Sequence, residues 1–198
     1  MNGERMILAA AVLIGSTPLD PLVAKLDEVA FLQADFVQTD YWALTREEEV
    51  SEGHLCLASP DLFVFRYSQP AGRIMGYDGS TLYTVEPSSR QVLLSEGEGS
   101  SFLAFLQLGS DSSLVRSSSA RGDTVSVILE GDLGEGLTRM EVSFDASDSL
   151  PISLVTYDAN RNRTCWSLGS VDLSRSAPAG YFDLVVPDGF ETVRPGDL

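Results

Sequence analysis

The chain has 198 residues, 43% of them apolar, and a formal charge of −16 from 13 basic and 29 acidic side chains. That length fits one domain with a sizeable core, and the apolar content excludes a disordered chain. So much negative charge repels nucleic-acid phosphates and gives no attraction to an anionic membrane surface, so neither is expected as a partner.

Arg5 precedes an apolar run, Met6 to Ile14, that stops at Gly15-Ser16-Thr17-Pro18. The run is too short to span a bilayer and reads as a secretory signal peptide over residues 1–17, followed by one domain over 18–198. An apolar N-terminal helix packed on the domain is the other reading. Asp20-Pro21 looks like a helix start, with Asp as N-cap and Pro in the first turn. Leu22, Val23, Leu26, Val29 and Ala30 then recur at helical spacing, for about three or four turns. From Phe31 to Trp42 the β-branched and aromatic residues favour a strand with Phe36 on one face. Arg46 to Glu52 reads as a polar, acidic connection, since Glu47, Glu48, Glu49 and Glu52 lack the spacing of a calcium loop.

Gly53 to Leu94 reads as an antiparallel meander. Ser59-Pro60-Asp61, Gln69-Pro70-Ala71-Gly72 and Asp78-Gly79 punctuate short apolar runs, and Asp-Gly is a strong hairpin signal. Phe63, Phe65 and Tyr67 alternate along one strand, so they share a face. Thr81–Val85 and Arg90–Leu94 follow as strands. Ser100 to Gly109 has a Ser cap, a terminal Gly and almost wholly apolar interior positions, which predicts a buried helix or one closing over something apolar. Strands return at Leu114–Ser119, Thr124–Glu130, Leu137–Phe144, Ile152–Tyr157 and Thr164–Leu173, and Tyr181 to Val186 reads as a last strand. The Arg121-Gly122-Asp123 triplet is a hairpin turn. Short strands at this spacing argue for one large antiparallel sheet rather than βαβ units.

Motifs of catalysis are absent from the sequence. His54 is the sole histidine, without Cys, His or paired carboxylates at metal-ligand spacing, and it reads as a strand histidine. No Gly-x-Ser-x-Gly elbow, P-loop or dinucleotide fingerprint occurs, so neither enzyme nor cofactor is expected. A hydrolase built around His54 is the weakest of three functional readings. Cys56 and Cys165 fit an exported protein with one disulfide but equally two buried thiols. What remains is apolar surface: a wide sheet with an aromatic row must close on a packed core or leave an apolar cavity lidded by helices.

The run from Gly53 to Tyr67, with Gln69-Pro70 and Asp78 to Tyr83, resembles the LolA family of periplasmic lipoprotein carriers. Phe31 with Phe36-Val37-Gln38 is similar to that family's opening strand, and Phe182-Asp183-Leu184 with Val186-Pro187-Asp188-Gly189 to its closing strand and turn. The resemblance implies a mainly β (α+β) fold, a strongly curved, unclosed antiparallel β-barrel with helices as a lid over an apolar cavity. It further implies a monomeric carrier that takes acylated lipoproteins from an inner-membrane, ATP-driven release complex to an outer-membrane receptor, without cofactor or metal. By position, Phe36, Phe63, Phe65, Tyr67, Met75 and Tyr83 would line the acyl cavity, and Phe102, Phe105 and Leu106 the lid. The family's Arg before the hairpin Pro, which ties lid to barrel, is replaced here by Ser59, ahead of Pro60. A hydroxyl offers one donor where a guanidinium offers five and a charge, so that lock would be weaker. The competing reading from another class is an envelope signalling or scaffold module of similar sheet that binds a protein partner.

Overall fold

The computed structural model describes residues 17–28, 30–58, 62–96, 111–134, 136–174 and 176–194. Among these residues twelve strands form one open sheet. In chain order they are β1 (Phe31–Trp42), β2 (Glu47–Ala58), β3 (Leu62–Gln69), β4 (Ile74–Tyr77), β5 (Thr81–Glu86), β6 (Gln91–Glu96), β7 (Val115–Arg121), β8 (Thr124–Glu130), β9 (Leu137–Asp145), β10 (Pro151–Asp158), β11 (Arg163–Ser174) and β12 (Glu191–Val193). A helix, α1 (Asp20–Asp27), precedes them.

Across the sheet the order is β12-β6-β5-β4-β3-β2-β1-β11-β10-β9-β8-β7, so two meanders, β1–β6 and β7–β11, are sewn together where β1 meets β11. The pairs are antiparallel except β12 on β6. Among the described residues no strand joins the two ends, which is the open sheet that the resemblance implies.

Alternation gives the sheet two distinct faces. On the inner face, Leu32, Ala34 and Phe36 of β1, Leu55 and Leu57 of β2, and Phe63, Phe65 and Tyr67 of β3 share one core with Val127 and Leu129 of β8 and Met140, Val142 and Phe144 of β9. Leu22 and Leu26 of α1, with Leu19 just ahead of it, bury into that core. On the outer face a second cluster joins Phe31, Cys56, Ala58 and Val64 to Phe182.

Four sequence expectations need correction. The helix is two turns, not three or four, because the chain turns at Glu28 to reach β1. Asp20 lies inside the helix, and its carboxylate reaches back to accept from the Thr17 N–H and hydroxyl instead of capping the helix. Glu47 to Glu52 is strand, not connection: full pairing with Asp40 to Trp42 and Val37 to Thr39 outweighs the low strand propensity of Glu. Tyr181 to Val186 is not a strand. Turns at Pro178–Tyr181 and Gly180–Asp183 fold it into a strap across the outer face, and β12 follows it.

Candidate functional site

The inner face of β1, β2 and β3 is built in cross-strand ranks. Phe36 pairs with Gly53, which pairs with Tyr67; Ala34 with Leu55 and Phe65; Leu32 with Leu57 and Phe63. Because Gly53 has no side chain, the Phe36 and Tyr67 rings meet edge to face above it, with centroids 5.2 Å apart. A Cβ on Gly53 would overlap the Arg66 carbonyl and come within 2.9 Å of the Phe36 ring and of Tyr67 Cα. Phe65 lies 5.4 Å from Phe36 and 5.9 Å from Phe63, so the aromatic row is continuous. Edge-to-face pairs of this kind add about 0.5–1.5 kcal/mol each beyond burial. Met75, paired with Phe65 on β4, is half-buried beside the row.

The row ends in a polar belt. The Tyr67 hydroxyl and the Trp166 indole N–H both donate to Gln38 Oε1, at 3.0 and 3.2 Å. Gln38 Nε2 donates to Asp40 at 2.6 Å, and the Thr164 hydroxyl donates to the same carboxylate at 2.7 Å. Burial pushes the Tyr67 phenol above its ordinary range, against the pull of the nearby Arg73 guanidinium. Beyond the belt, a cleft of about 940 Å³ opens between the β1–β2 and β10–β11 turns, with Trp42, Leu44, Glu47, Glu49 and Asn162 in its walls. The inner face therefore grades from apolar through amphipathic to polar along β1, with Arg161 among the acids of the cleft.

Five of the six sequence-chosen cavity residues, Phe36, Phe63, Phe65, Tyr67 and Met75, come together on this face. Tyr83 does not. It pairs with Gly76, opposite Val64, on the outer face, where its hydroxyl donates to the Phe182 carbonyl at 3.0 Å. The β4–β5 pairing across the turn at residues 78–80 sets that parity, and strand register cannot be read from composition. Ser59, Phe102, Phe105 and Leu106, and the helix expected over 100–109, lie outside the described residues. So does the expected leader, apart from Thr17. Gln38, Thr164 and Trp166 escaped sequence reasoning as site residues, because only the β1–β11 pairing brings them to Tyr67.

Cys56 and Cys165 are free thiols, not a disulfide. Cys56 pairs with Gln33 and Cys165 with Thr39, on opposite flanks of β1. Six residues along a strand is about 20 Å, far beyond bridging distance. Cys56 instead donates to the Tyr181 hydroxyl at 3.2 Å, and burial raises its thiol above the ordinary 9.0 despite that bond and the nearby Arg66. His54 Nδ1 lies 3.1 Å from Asp35 Oδ1 on the solvent side of the outer face. The hydrogen bond from His54, then that from Ser170, holds the Asp35 carboxyl below its ordinary 3.8. Among the described residues, no group of three or more His, Cys, Asp or Glu is placed to hold a metal, and no helix is long and apolar enough to cross a membrane.

The sequence matches the family model "Outer membrane lipoprotein carrier protein LolA" over residues 27–185. No curated protein matches it. Among solved structures, it is similar to an uncharacterized conserved protein from Thermus thermophilus, at 12% identity and TM-score 0.58, covering 89% of this chain and 96% of that one. A LolA superfamily protein from Nitrosomonas europaea overlays at 11% identity and TM-score 0.44, covering 86% and 99%. MucA/MucB from Pseudomonas aeruginosa overlays at 9% identity and TM-score 0.44, covering 83% of this chain and 61% of that chain. Of these three the first alone exceeds one half in TM-score, and its low identity speaks for the fold alone.

Proposed function

The chain belongs to the LolA family, and from that premise we propose that it is a periplasmic carrier of lipoprotein acyl chains, or of a related lipid, from inner to outer membrane. The observation that carries this reading is the continuous aromatic row of Phe36, Phe63, Phe65 and Tyr67, with Met75 at its margin. Rings held by edge contacts can exchange those contacts for methylene groups, and each buried CH₂ contributes about 0.8 kcal/mol. The polar belt of Gln38, Asp40 and Thr164 would then lie beside the ester and amide groups where acyl chains join their head. Phe102, Phe105 and Leu106 would cover the chains, with Ser59 in place of the family Arg giving a lid that opens more readily. An inner-membrane ATP-driven release complex would load the carrier and an outer-membrane receptor would unload it.

The test is native mass spectrometry of the purified protein after incubation with a triacylated lipopeptide. The expected result is a discrete adduct with the mass of one lipopeptide, absent from Met75→Glu, whose half-buried position tolerates a carboxylate while spoiling the apolar row. An unmodified mass at saturating lipopeptide would reject the carrier reading. Retention of a protein partner instead of lipid would install the scaffold reading in its place.

A further inference from the structure

The open sheet has two ends, and they are finished differently. At one end β12 is three residues long. At the other, β7 runs for seven residues, and its side chains from Arg116 to Arg121 are exposed on both faces of the sheet. It is held on one side only, by β8, and among the described residues no strand lies beyond it.

The hairpin fixes which backbone groups are left over. Arg121 and Thr124 flank a two-residue turn with Gly122 at φ 59 in its first central position, so they form the closing hydrogen-bonded pair. Alternation from that pair turns Ser119 toward β8 and leaves the N–H and C=O of Ser118 and Ala120 pointing outward. Such an edge is a template for another strand, and chains usually blunt it with Pro, Lys or an inward charge. Here Ser117, Ser118, Ser119 and Ala120 are small and uncharged. The charge is also anomalous. In a molecule of net −16, β7 carries two arginines and no acid. Arg116 makes a loose, exposed pair with Glu130 at 3.7 Å, and Arg121 has no ion pair among the described residues.

We propose that the β7 edge is a docking site that takes an extended, acidic segment of a partner protein as an added antiparallel strand. Backbone pairing at Ser118 and Ala120 supplies affinity, and the small serines leave room for the partner's side chains. Arg116 and Arg121, at the two ends, select carboxylates. A second copy of this chain is a poor occupant, since two-fold pairing of β7 sets arginine near arginine and brings two strongly anionic molecules together. This site is independent of the acyl-binding reading, being at an edge of the sheet and not on the inner face of β1–β3.

The experiment is amide hydrogen exchange followed by NMR, with a seven-residue peptide of alternating Val and Glu as probe and its Val/Lys counterpart as control. The acidic peptide is expected to slow exchange at Ser118 and Ala120 by about tenfold, and the lysine peptide to leave it unchanged. Ala120→Pro deletes an outward N–H and leaves the β8 ladder intact, so it should abolish the protection in a folded protein. Arg116→Glu combined with Arg121→Glu should reverse the peptide preference. Absence of protection with the acidic peptide would overturn the proposal, as would equal protection by both peptides. Protection that grows with protein concentration alone would assign the edge to a second copy and overturn the partner stated here.

Discussion

Strand β3 has two faces of opposite construction. Inward, Phe63 and Phe65 rest on other rings without any hydrogen bond, and Tyr67 adds one, from its hydroxyl to Gln38. Outward, Val64 is buried under the strap and the exposed Arg66 lies beside it, and the strap is pinned by directed bonds. Arg66 donates to the Tyr181 carbonyl at 3.1 Å and its guanidinium stacks 5.3 Å from the Tyr181 ring centroid, while Cys56 bonds the Tyr181 hydroxyl and Tyr83 the Phe182 carbonyl. Contacts without direction can be exchanged for those of a ligand at little cost. Directed bonds cannot, because each partner left buried and unpaired costs about 1–3 kcal/mol. The outer face is thus fixed and the inner face is exchangeable, although one strand serves both.

A strap that fixes the outer face must be costly to remove. Phe182→Ala should cost about 3–5 kcal/mol of unfolding free energy, measured by urea denaturation, since Phe182 is buried among Phe31, Cys56 and Val64. Gly53→Ala should cost about 1–3 kcal/mol, because the added Cβ overlaps the Arg66 carbonyl and the aromatic rank must shift. A cost near zero would mean that the inner ranks are loosely packed. Tyr83→Phe sharpens the contrast: losing the bond to Phe182 should cost about 1 kcal/mol and leave lipopeptide uptake unchanged, because Tyr83 faces away from the aromatic row. The smallest effect concerns alkali. Burial raises the Cys56, Tyr83 and Tyr181 acids above their ordinary values, so each binds its proton more tightly when folded. That stability is fully present below the unfolded values and is lost as pH rises through the folded ones. The strap should therefore begin to loosen above about pH 9, where an unfolded thiol ionises. Cys56→Ala should move that onset toward the phenol range, as read by Tyr fluorescence in an alkaline titration.

Much of the molecule could be read in its residues. Asp78-Gly79 announces a hairpin because its geometry is local: Asp78 Oδ1 accepts from the Ser80 and Thr81 N–H groups, and Gly79 sits at φ 94. Phe63, Phe65 and Tyr67 sharing a face follows from alternation within one strand. What escaped were relations between distant segments. Tyr83 needed the register across three strands, the belt needed residues 38 and 166 to be neighbours, and the strap looked like a strand because Tyr181 to Val186 carries strand-like residues, of which Tyr181 and Phe182 are spent on the outer cluster while Val185 and Val186 stay exposed. The acidic run at Glu47 misled for the opposite reason: its residue types suit a loop, yet pairing along β1 holds it extended.

The seam between β1 and β11 has a kinetic consequence. It joins Phe31 to Ser174, so the strand at the middle of the sheet finds its second neighbour near the far end of the chain. The meanders on either side can zip from their turns in the order they are made, but the sheet becomes one body only when that distant strand arrives. Long-range closure of this kind is slow, because loop entropy is lost before contacts return it. Until then β1 has one edge bare, and the chain stays pliable while β11 is absent from it.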